Sequence, residues 1–200
     1  MPSRAAGFPG EYLWELDVSR IQLLALADAV PEEKYGWSAA EGARPFSAVL
    51  VHIATGNFLL LHMVGAPGAD FADLYGTLDG DELTRFAAMI RKNIELEQKL
   101  TGKQGAVGLL RRSFEAAEIA FGALSEEDLA KTGYFFGEQT TVRRVYLRML
   151  AHTHEHMGQA IAYVRGMGIK APWPDPREAL DRILADARSR QAEVSPQASG

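Results

Sequence analysis

Apolar residues recur at helical spacing along most of this 200-residue chain. Trp14, Val18, Ile21 and Ala25 step by three and four positions, which predicts a helix from about Glu11 to Val30. Pro31 and the Gly- and Ala-rich segment Tyr35–Pro45 end it and form a connection. A second, almost wholly apolar helix covers Phe46 to Val64 and stops at Gly65-Ala-Pro-Gly68. Residues 70–78 read as loop, and Asp79-Gly-Asp-Glu82 as the charged first turn of a helix from about 81 to 100.

Thr101–Gly105 breaks that pattern. A helix over about 106–124 follows, with Leu109, Leu110, Phe114, Ala117 and Phe121 on one side. Ser125-Glu-Glu-Asp128 resembles another helix start, and Gly133–Gly137 a Gly/Phe-rich turn. The last long helix runs from about Thr140 to Met167, ended by Gly166 and Gly168 with three prolines behind. A short charged helix over Pro176–Gln191 and a polar tail complete the chain.

No strand-like alternation of useful length and no internal repeat is visible. The pattern predicts an all-α protein: an antiparallel four-helix bundle with an extra helix near 81–100 and a short C-terminal helix. Its divisions are an irregular arm at 1–10, the bundle at 11–172, and a helix with tail at 173–200.

Composition narrows the function classes. Hydrophobic residues at 47% and charged residues at 24% are ordinary for a globular domain. The net charge of -5 and the lack of any Lys/Arg run longer than two speak against nucleic acid as a partner. The longest uncharged run, Pro45–Ala69, is interrupted by His52, Asn57 and His62, so no membrane partner is expected. The N-terminus lacks the apolar stretch of a signal peptide, and a cytoplasmic protein is the expectation. Cysteine is absent, which leaves histidine and carboxylates as strong metal ligands.

Chemistry concentrates in His152-Thr-His-Glu-His156-Met-Gly-Gln159. Residues four apart on a helix lie about 40° apart and one turn along the axis, so His152 and His156 can close on one cation. The competing reading makes them satisfied boundary residues, at the expense of two desolvated imidazoles. His154 falls on the opposite flank with Leu147, Leu150 and Ile161. Neither it nor His62 has a helical partner, and both read as ordinary core or boundary histidines. His52 lies in another apolar helix, and a bundle could bring it opposite the pair, giving three imidazoles and an open position. His152-x-x-Glu155-His156 also matches the H-x-x-E-H string of inverted zincins, which would require a carboxylate ligand from the 175–193 segment.

The run Leu150-x-His152-x-x-x-His156-x-Gly158-Gln159, then Tyr163-x-Arg165-x-x-Gly168-x-x-x-Pro172, resembles the last helix of DinB-like proteins. Val51-His52-Ile53-Ala54 resembles that family's second helix, and the resemblance covers roughly 10–172. It implies a four-helix bundle with a divalent metal, commonly zinc or nickel, on His52, His152 and His156. Some such proteins are thiol-dependent S-transferases or isomerases using a low-molecular-weight thiol, many have no known activity, and dimers are common. Two positions depart from the pattern: Glu155 replaces a frequent histidine, and Met157 a frequent arginine. The segment 70–103 is longer than typical.

The expectation is a metal-dependent enzyme that activates a thiol or water for attack on a small electrophile. The rivals are a non-catalytic, stress-related metal-binding bundle and the H-x-x-E-H hydrolase. Gln159, one turn beyond His156, would hydrogen-bond a ligand or orient an imidazole, and Arg165 would hold an anionic group of a thiol cofactor. A small-molecule substrate and a homodimer complete the reading.

Overall fold

The structure of the protein, a computed structural model, describes residues 7–66, 71–174 and 176–194, excepting the side chains at 176–178 and 192–194. Residues 1–6 of the arm predicted at 1–10, the stop at 67–68 and the tail beyond 194 lie outside those residues, and 8–10 belong to a helix instead. Helix α1 (Phe8–Ala29) starts three residues earlier than predicted, because Pro9 fits the first turn, where its missing N–H costs nothing. A 3-10 turn, Glu32–Lys34, interrupts the following connection.

Helix α2 (Phe46–Met63) is long and apolar enough to cross a membrane, yet 78% of it is buried inside the protein. Leu50, Ile53 and Leu61 are fully enclosed, each stabilising the fold by about 1.5–3 kcal/mol relative to exposure. A single turn, α3 (Ala72–Tyr75), lies within the predicted loop. Helix α4 (Glu82–Lys99) begins where the sequence indicates, with the Asp81 carboxylate accepting the Thr84 N–H at 2.8 Å. Helix α5 (Lys103–Gly122) starts three residues earlier than predicted and buries Leu109, Leu110, Phe114, Ala117 and Phe121. The short α6 (Glu126–Ala130) is set by a reciprocal pair: Asp128 N–H donates to Ser125 Oγ, and Ser125 N–H to the Asp128 carboxylate.

Two short strands follow, contrary to expectation. Strand β1 (Thr132–Phe135) pairs antiparallel with β2 (Glu138–Thr141), from Thr132 opposite Thr141 to Phe135 opposite Glu138. Four residues are too few to display alternation. Phe136 and Gly137 form the two-residue turn, both with positive φ (49° and 83°), the twist that hairpins favour. Thr140 therefore belongs to a strand, and α7 (Val142–Gly166) begins two residues later than predicted, with the Thr141 hydroxyl accepting the Arg144 N–H at 3.2 Å.

Helices α1, α5, α2 and α7 form the bundle, with α1 and α2 each packed against both α5 and α7. Tyr12 and Phe121 stack in its core with ring centroids 4.0 Å apart, and Tyr146 meets both rings edge-on. On α1 the buried face is Tyr12, Leu16, Ser19, Leu23 and Leu26, not the predicted stripe. Trp14 and Ile21 are exposed instead. Both sets have helical spacing, so periodicity alone could not choose between them. Helix α4 packs on α2, and the hairpin on α7. The chain divides into units at 1–170 and 171–200, and the second contains α8 (Pro176–Val194).

Candidate metal centre

The packing of α2 against α7 brings His52, His152 and His156 together across a hundred residues of sequence. Their ring centroids stand 4.5–5.0 Å apart. One ring nitrogen from each lies within 4.8 Å of the others, and among the described residues these three form the group able to hold a metal. The Nε2 atoms of His52 and His152 approach to 3.3 Å. His154 is exposed, with Nδ1 donating to the Leu150 carbonyl at 2.9 Å and Nε2 lying 3.5 Å from Ser19 Oγ. His62 sits ten residues past His52, ~15 Å along α2. It lines a different cavity with Arg85 and Phe86.

Two of the three imidazoles are held from behind. His52 Nδ1 lies 2.8 Å from a Glu97 oxygen, whose other oxygen accepts from Arg44 Nε at 2.7 Å. His156 Nδ1 lies 2.9 Å from Gln159 Oε1, and Gln159 Nε2 donates to the Tyr163 hydroxyl at 3.1 Å. In each case an N–H on Nδ1 fixes the ring and leaves the Nε2 lone pair toward the cluster. Gln159 thus orients an imidazole. His152 differs, because its Nδ1 is buried without a partner. Its ring is seated instead by Gly56, where a Cβ would come within 2.5 Å of Cε1.

Burial lowers the His152 pKa to about 3, assisted by the neighbouring His156, His52, Arg148 and Arg44. His156 is lowered too, chiefly by burial. Burial raises the Glu97 pKa, but hydrogen bonds from His52 and Arg44 outweigh it and keep the carboxylate ionised. With His152 and His156 held neutral by burial, ring nitrogens of all three histidines converging and a carboxylate behind His52, the group could hold a metal ion.

Glu97 and Gly56 were missed from sequence. Glu97 lies on α4, and no spacing rule links it to His52. An isolated glycine inside an apolar helix was a legible signal of close packing. Glu155 is exposed, and its carboxylate accepts from Arg148 at 2.6 Å. Arg165 is exposed in the last turn of α7, nine residues and so about 180° around the helix from His156.

Residues 15–160 match the model of the DinB superfamily. The fold is similar to a solved DinB-like protein from Bacillus cereus, with TM-score 0.62 and 17% identity, covering 82% of this chain and 95% of that one. It is also similar to a DinB-like protein from Bacillus subtilis, with TM-score 0.54 and 18% identity over 79% and 92% of the two chains. No curated protein matches the chain.

Proposed function

The chain belongs to the DinB superfamily, and from that premise we propose that it is a metal-dependent enzyme acting on a small electrophile, in the manner of a thiol S-transferase. The observation that carries this is the convergence of three ring nitrogens within 4.8 Å, on residues from two helices. His52, His152 and His156 would hold the ion, zinc or nickel by donor type. A divalent ion with three imidazole ligands and an open position supplies Lewis acidity, lowering the pKa of a thiol or water there.

The chain's own groups prepare that position. Glu97 and Gln159 fix two rings so that the lone pairs point inward, and ligand orientation is not lost to rotation. Ile90, Ile94 and Leu59 give the neighbouring cavity an apolar wall. Arg165, on the far side of α7, is better placed to meet the C-terminal helix dipole than a cofactor.

The test is metal content of untagged protein purified without chelator, alongside His156→Ala, followed by thiol-stimulated turnover of chlorodinitrobenzene. About one ion per chain, lost in the variant, together with metal-dependent turnover, is the expected result. Metal without turnover across several thiols would favour the non-catalytic bundle, and absence of metal after reconstitution would remove the proposal.

A further inference from the structure

A cavity of about 570 Å³ lies beside the histidine cluster, with His52 and His152 in its lining. Arg44, Arg144 and Arg148 also line it, against a single carboxylate, Glu97. Glu97 is already engaged by Arg44 and His52. Arg148 pairs with Glu155, which is 59% exposed, and such a surface pair holds its partner weakly. The Arg144 guanidinium stacks on the Phe135 ring at 4.7 Å and meets no carboxylate among the described residues. Much of the remaining wall is apolar, from Leu59, Ile90, Ile94 and Phe135.

We infer that this cavity binds a compact organic carboxylate with an apolar, aromatic or branched body. The carboxylate meets Arg144 and Arg148, whose planar forks match its two oxygens, and the body lies against the apolar wall. Arg148 and Arg144 precede His152 by four and eight residues, ~6 Å and ~12 Å along the helix axis. A ligand one ring and a short chain long, anchored at the arginines, therefore presents its other end to the histidines. Only this orientation rests on the proposed metal-dependent reaction; capture of the anion does not.

The experiment is calorimetric titration of metal-free and metal-loaded protein with trans-cinnamate and with its uncharged amide. Cinnamate should bind both forms, and the amide at least about tenfold more weakly, the worth of one charge-assisted hydrogen bond. Arg144→Met should weaken cinnamate binding by about the same factor and leave the amide unchanged, with partial recovery in Arg144→Lys. Circular dichroism checks that these exposed-site variants stay folded. Equal affinity for acid and amide, or no cinnamate binding by either form, would overturn the inference. Binding only to the metal-loaded form, indifferent to Arg144→Met and Arg148→Met, would assign capture to the ion, overturning the inference while sparing the proposed function. Arginine-dependent binding by a protein that takes up no metal would uphold the inference and sink the metal reading.

Discussion

Gly56 and His152 are in contact that no other residue type could reproduce: a Cβ at 56 would lie 2.5 Å from the His152 Cε1 and 2.9 Å from its Nδ1. Gly56→Ala must therefore push the imidazole aside. Alanine recovers about 1 kcal/mol of helix propensity against an overpacking cost of about 1–3 kcal/mol, so stability should fall by no more than about 2 kcal/mol. Metal affinity should fall by about tenfold or more, as when a ligand loses its orientation. A chelator-competition titration checks this, and unchanged affinity would mean that His152 is no ligand.

Glu97→Ala leaves His52 Nδ1–H without an acceptor and frees its ring to turn. The expected loss is about 10–100-fold in metal affinity. Glu97→Gln keeps an acceptor oxygen and should lose less, and competition titration of the two variants distinguishes them.

The ligand set makes a sharper division. His52→Ala, His152→Ala and His156→Ala should each lose most of the metal, while His154→Ala and His62→Ala retain it. Mass-spectrometric metal content after identical purification decides. Loss in His154→Ala would contradict its place on the outer flank of α7.

Acid should weaken the metal-free fold through His152. Its pKa falls from 6.5 in the unfolded chain to about 3 when folded. Above pH 6.5 neither state binds the proton; below it the unfolded state does first, so stability declines as pH drops toward the folded value. His156 contributes in the same direction. The melting temperature should fall between pH 7.5 and 5, and less so in His152→Leu.

Self-association should involve the outer face of α1. Trp14 and Ile21, about two turns apart on that face, are 57% and 55% exposed. Sedimentation should find a dimer that Ile21→Lys dissociates; a wild-type monomer would dismiss it.

Most of the bundle was legible because α5 and α7 each carry one dominant apolar stripe with polar positions opposite. Helix α1 misled because it carries two, and only packing decides that Leu16 rather than Trp14 goes inside. The hairpin escaped because its strands are four residues long and its tip relies on Phe136 in a conformation that residue rarely adopts. At the site, the i, i+4 pair was readable from one helix alone. Its meeting with His52 was a possibility that only tertiary packing could realise, and the Glu97 contact crosses to a third helix with no periodic trace.

Thr141 is at once the last rung of the hairpin and the cap of α7. The two elements are joined by a linker of zero length. One residue inserted between Gln139 and Val142 would rotate the helix by about 100° relative to the hairpin or else break the rung. The exposed stretch 38–42 could lengthen without turning any helix, whereas the hairpin and the histidine helix keep their mutual angle only at their present spacing.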